Sequence, residues 1–155
     1  MSIATIYCKP YIAHWLFHRY GNPVELPRDS KVRIGILSCL SKQYFPHSAY
    51  NKTLYPELVE IKMHKDLFSE IGHSLTLSQQ HMVNDLVNEL IEAEIYLKVT
   101  ALHVNGINID EAIIKYQQSI KATEKNFKAE TIRTKYFRYK RNLNKIFLTF
   151  DTPAS

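Results

Sequence analysis

Thr76-Leu-Ser-Gln-Gln-His-Met-Val-Asn-Asp-Leu-Val-Asn-Glu-Leu-Ile-Glu-Ala-Glu-Ile-Tyr-Leu-Lys-Val-Thr-Ala-Leu-His-Val104 is the longest periodic stretch of the chain. Val83, Leu86, Val87, Leu90, Ala93 and Leu97 recur at three and four residues, the spacing of one helical face. Met82, Ile91, Ile95 and Leu102 widen that face beyond what a solitary surface helix buries. The helix is therefore central to the core or half of a dimer interface, and the breadth of the arc favours the core. Thr76 with Gln79 is a capping box that opens it, and Asn105-Gly106 closes it.

Downstream, Asn108 with Glu111 is a second capping box, opening a helix through Gln118 with Ile113, Ile114 and Tyr116 as its apolar set. Lys121 to Phe127 has room for one or two turns. Ala129 to about Ile146 is a last, basic helix. Two short helices bracing a third is the order of a helix-turn-helix.

Upstream, Pro10 suits a first helical turn, and Tyr11, Ile12, Trp15, Leu16 and Tyr20 recur at helical spacing before Gly21. Prolines bracket Asn22 to Pro27 and limit it to a short edge strand or an extended arm. Asp29 or Ser30 caps a helix from Lys31 to about Gln43, with Val32, Ile36, Leu37 and Leu40 inward. Phe45 to Pro56 has the composition of an ordered, irregular loop. Leu58-Val-Glu-Ile-Lys-Met63 is the best strand candidate, and paired with Val24 to Leu26 it makes a two-stranded ribbon that needs helices packed on it.

The 155 residues, 45 % hydrophobic and 23 % charged, describe one ordinary globular domain with enough apolar content for a core. Met1 to Lys9 lacks the basic and apolar regions of a signal peptide, and no stretch reaches the roughly 18 apolar residues of a membrane span. A cytoplasmic protein with no membrane partner is expected. Cys8 and Cys39 stand far apart without CxxC spacing, which suggests buried thiols. The four glycines are too scattered for a phosphate-binding loop.

Charge is concentrated in Lys128 to Lys145, where seven Lys or Arg face one acid, Glu130, a net of +6. The chain as a whole is +5, so the remainder is −1 and the charge is a local patch. On a helix, Ile132, Leu143, Tyr136, Phe147, Tyr139 and Ile146 share one stripe and are expected in the core, with Lys135 and Lys140 at its edges. Arg133, Phe137, Arg138, Arg141 and Lys145 lie on the remaining arc with Thr134 and Asn144. Solvated faces usually interleave Glu with Lys, whereas Arg138 with Arg141 and Arg141 with Lys145 set like charges at i,i+3 and i,i+4. That repulsion points to an anionic partner, nucleic acid first. The expected nucleic-acid-binding residues are Arg133, Phe137, Arg138, Lys140, Arg141 and Lys145, with the arginines best suited to guanine edges. Phe137 is open to two readings, a stacking platform for unpaired bases or a contact with a neighbouring helix.

Other chemistry finds less support. His14 and His18 have i,i+4 spacing, but Trp15 stands where an HExxH pattern needs Glu, and His47, His64, His73, His81 and His103 are scattered, so no metal site and no cofactor is expected. Glu89, Glu92 and Glu94 read as a solvated helix face. Cys8 and Cys39 carry no local signature of a nucleophile, and no catalytic residue is expected.

Pro10-Tyr-Ile-Ala-His-Trp-Leu16, Gly21, Pro23-Val24, Pro27 and Ser30, with Tyr136-Phe-Arg-Tyr-Lys-Arg141, resemble small uncharacterised proteins of Bacteroidetes phages and mobile elements. The resemblance implies a DNA-associated role in a mobile element and carries no activity onto any residue.

The expected architecture is mainly α: a single helical domain over residues 1–150 with a small two-stranded β-ribbon, a helix-turn-helix-like subregion at 108–147 and a disordered tail at 151–155. The expected function is non-enzymatic nucleic-acid binding, DNA before RNA, by the basic C-terminal helix. The alternative is a protein-interaction or assembly module, a homodimer through the long central helix.

Overall fold

The structure is a computed structural model and describes residues 2–41, 54–63 and 77–151. The order of elements is β1 (Ser2–Cys8), α1 (Pro10–Tyr20), β2 (Val24–Glu25), α2 (Lys31–Ser41), β3 (Glu57–Met63), α3 (Leu77–Val104), α4 (Ile109–Ser119) and α5 (Ala129–Asp151). The chain is mainly helical with one small sheet. It divides into two compact units, Met1–Glu89 and Leu90–Ser155, so α3 supplies its first half to one and its second half to the other.

In the first unit the sheet has three strands in the order β1-β3-β2, which corrects the two-stranded ribbon. β2 does pair with β3, in parallel, with Val24 opposite Ile61. The added strand is β1, antiparallel to β3 with Ile6 opposite Val59 and Ala4 opposite Ile61. Its inward residues are Ala4, Ile6 and Cys8, while the larger Ile3 and Tyr7 face outward. Two of the three inward side chains are small, so β1 lacks the apolar alternation that marks β3, where buried Val59 and Ile61 alternate with exposed Leu58 and Glu60.

An edge strand leaves backbone groups that need partners. α3 satisfies part of the free edge of β1 through two buried amides. Gln80 Oε1 accepts from Tyr7 N–H at 2.9 Å, Asn84 Oδ1 accepts from Lys9 N–H at 3.1 Å, and Asn84 Nδ2 donates to Tyr7 O at 2.9 Å. Asn84 thus does for β1 what a neighbouring strand's peptide would do.

The helices of this unit start and stop as their residues dictate. Pro10 opens α1, which buries Ile12, Ala13, Trp15 and Leu16. Ser30 caps α2, its Oγ accepting from Arg33 N–H at 3.0 Å, and Val32 and Ile36 are buried while Leu37 is half-buried. Gly35 lies directly against Leu86 of α3, and a Cβ there would collide with the Leu86 side chain. Tyr55 is buried and hydrogen-bonded to His81 Nδ1. The expected box at Thr76, the side chain of Leu40, most of the loop from Phe45 and residues 152–155 lie outside the described residues.

α3 buries Val83, Val87, Ile91, Ile95 and Val99, a four-residue repeat that adds Val99 to the expected face. Leu97 is 67 % exposed, a correction to its expected place on the inward stripe. The buried repeat is spaced by four residues, and Leu97 falls about 200° from Ile95. The helix ends at Gly106, with φ 95°; Gly106 N–H bonds His103 O and Ile107 N–H bonds Leu102 O. Asn108 then caps α4, its Oδ1 accepting from Glu111 N–H at 2.8 Å. α4 buries Ala112, Ile113, Tyr116 and Gln117, and Ile114 is 47 % exposed, a correction to its expected place in the apolar set. Among the described residues no helix is long and apolar enough to cross a membrane.

Candidate nucleic-acid interface

The second unit holds eleven Lys and Arg against seven acids, a net of +4 out of the chain's +5. Its basic helix, α5, is set by the link from α4. Lys121 takes the left-handed conformation at φ 53°, with Lys121 N–H on Gln118 O and Ala122 N–H on Gln117 O, which closes α4. Lys121 to Phe127 is one hydrogen-bonded turn, Phe127 N–H on Thr123 O at 2.9 Å, and not a further helix. The buried Gln117 ties it down. Its Nε2 donates to Phe127 O and to Glu124 Oε1, both at 2.9 Å, and Glu124 Oε1 also accepts from Ala129 N–H at the start of α5. Those two donors, Gln117 first, lower the Glu124 carboxyl from its usual range.

α5 buries Ile132, Lys135 and Tyr136, as its stripe requires. Tyr96 of α3 lies between two aromatics of α5, with ring centroids 5.7 Å from Tyr136 and 5.2 Å from Tyr139. Leu143 and Tyr139 are half-buried. Farther along the helix the stripe is uncovered: Ile146 is 51 % and Phe147 62 % exposed, which corrects their expected place in the core. Helical phase puts both on the inward side, but the phase of a residue says nothing of how far the surface it packs on extends.

The six expected contact residues fall into two groups. Arg133 is bound to Asp110 on α4, its guanidinium 5.5 Å above the Phe137 ring. Arg138 donates through Nη2 to Glu92 Oε1, and Lys135 Nζ stands 3.7 Å from the same oxygen. Phe137 is half-buried, edge-on to Tyr136 at 5.1 Å and covered by Arg133. Both of these contacts come from α5 itself, and neither is the neighbouring helix of the second reading. Lys140, Arg141 and Lys145 are exposed. They form a cationic run on the C-terminal half of α5, in a stretch from Thr131 to Phe150 without an acidic residue.

Glu92 is the residue that the sequence misplaced. It is buried, not part of a solvated face; Glu89 is exposed and Glu94 accepts from Tyr116 Oη at 2.9 Å. Glu92 lies 46 residues from Arg138, and no local pattern signals such a pairing. Asp110, 23 residues from Arg133, is equally silent in the sequence.

The remaining candidates are placed as follows. The rings of His14 and His18 stack with centroids 6.4 Å apart, and among the described residues no three His, Cys, Asp or Glu side chains come together as a metal site. His103 bonds Ile107 O, while His47, His64 and His73 lie outside the described residues. Cys8 is fully buried and burial pushes its thiol up to about 12, so it is held as an inert thiol. The Cys39 side chain is outside the described residues.

No family model matches the chain, and no curated protein or solved structure is similar to it.

Proposed function

We propose that the protein binds nucleic acid, duplex DNA before RNA, through the outer face of α5, with α4, its turn and α5 acting as a helix-turn-helix-like unit. The observation that carries the reading is the exposed run Lys140, Arg141 and Lys145 on a helix that has no acid between Glu130 and Asp151. Arg141 and Lys145, at i,i+4, cost an isolated helix about 0.2–0.5 kcal/mol, a cost that a row of phosphates would reverse. Arg133 and Arg138 already neutralise Asp110 and Glu92, and so contribute less than their charge suggests. The cover over Phe137 argues against base stacking and thus for a duplex backbone.

The test is binding of labelled duplex, single-stranded DNA and RNA across a salt series. The wild type is expected to bind with affinity falling by a log–log slope of about 0.9 per phosphate contact. Replacing Lys140, Arg141 and Lys145 together by alanine is expected to lower the slope by about 2–3. Binding without salt dependence, or a triple variant equal to wild type, overturns the reading.

A further inference from the structure

α3 has a second apolar face in the unit Leu90–Ser155. At about 100° per residue, Leu90, Ala93, Leu97, Ala101 and Val104 fall within an arc of about 80°, centred opposite the buried Ile91, Ile95 and Val99. Leu97 is 67 % and Val104 78 % exposed, Ala101 is exposed, and Leu90 and Ala93 are half-buried. A helix apolar on both sides packs on both sides. α5 meets α3 at Glu92 and Tyr96, outside this arc.

The spacing of the stripe says what covers it. From Leu97 the next members lie four residues away on each side, Ala93 and Ala101, and the outer ones a further three, Leu90 and Val104. The stripe reads the same in both directions, large, small, large, small, large. We propose that it docks on the same stripe of a second copy, antiparallel, about a two-fold axis through Leu97. Leu97 then meets the second copy's Leu97, Ala93 meets Ala101 and Leu90 meets Val104, the small residues letting the backbones approach while the large ones close the ends. An isologous contact requires a self-complementary surface, and a palindromic stripe is one.

The charges agree. Glu94 and Lys98 flank the stripe on one side, and Lys98 Nζ is 3.6 Å from Glu94 within the protomer. In an antiparallel pair that flank faces its own copy, offset by about two residues, so each Glu94 meets the second copy's Lys98. The face has no cluster of cations, so it is not an extension of the α5 surface. Five side chains along about 21 Å of helix put the contact at the small end of specific interfaces, below about 1,200 Å², the range of weak and transient associations.

The full chain at about 100 µM is expected to be dimeric by light scattering and sedimentation. Leu97→Glu is expected to weaken the dimer more than about tenfold while the circular dichroism spectrum stays that of the wild type, since Leu97 is exposed in the protomer. In a Cys39→Ser background, Leu97→Cys is expected to cross-link to itself on oxidation. Val104→Cys alone is not, yet it cross-links when mixed with Leu90→Cys. A monomeric wild type at that concentration, a dimer indifferent to Leu97→Glu, or Val104→Cys cross-linking as readily as Leu97→Cys overturns the proposal; the last outcome marks a parallel pair.

Discussion

Arg138 donates through Nη2 to Glu92 Oε1, and this bond ties the most cationic helix of the chain to the buried side of α3. Glu92 is also the charge opposite Lys135, whose side chain is only 6 % exposed. Removing one partner of a buried pair leaves the other charge stranded. Glu92→Ala is therefore expected to destabilise the protein by about 3–5 kcal/mol in denaturant unfolding. Replacing Lys135 by methionine together with Glu92→Leu is expected to recover most of that loss, because a well-packed apolar pair needs no desolvated charge.

Asn84 satisfies Tyr7 O and Lys9 N–H at the edge of β1. Asn84→Ala strands both and is expected to cost about 2–4 kcal/mol. Asn84→Asp keeps an acceptor for Lys9 but sets a buried carboxylate against Tyr7 O and Gln80 O, so its loss is expected to equal or exceed that of alanine. Urea midpoints of the three proteins check the order.

At Gly35 two effects oppose each other. Alanine in place of glycine favours the helix by about 1 kcal/mol, whereas the new Cβ collides with Leu86. Overpacking costs about 1–3 kcal/mol, so Gly35→Ala is expected to destabilise on balance. In the Leu86→Ala background the same change is expected to be neutral or stabilising. A double-mutant cycle in thermal unfolding reads the coupling.

Cys8 keeps its proton in the folded chain up to about 12, pushed there by burial. The unfolded thiol ionises near about 8.5, so its effect on stability is absent below that pH. Above it the unfolded state loses a proton that the folded state retains, and stability falls by about 1.4 kcal/mol per pH unit until the folded thiol titrates. Cys8→Ala is expected to remove that share of the slope between about pH 9 and 11 in urea midpoints. A thiol reagent at pH 8 is expected to label Cys8 only on unfolding.

The helices were legible because each carries its own evidence in neighbouring residues. Pro10 and Gly21 bound α1, Ser30 caps α2, Gly106 ends α3 and Asn108 caps α4. β3 was legible from Val59 and Ile61, and β2 from its prolines. β1 was not, because Ala4 and Cys8 are too small to mark a buried face and its edge is completed by Gln80 and Asn84, more than seventy residues away. The basic helix was legible in charge and phase, but not in how many of its cations are already paired.

The sequence by itself determined that the chain is mainly helical, where most helices begin and end, and that its positive charge resides in α5. Caps, prolines and a 3.6-residue period act within one or two turns, and a net charge needs no coordinates. Only the tertiary structure decided which faces are covered: that Glu92 is buried beneath Lys135 and Arg138, that Arg133 is bound to Asp110, and that Leu97, Ile146 and Phe147 are exposed. Period assigns an apolar residue to a side of its helix. Whether anything lies against that side depends on the length and placement of another element, and that information is spread across the whole chain.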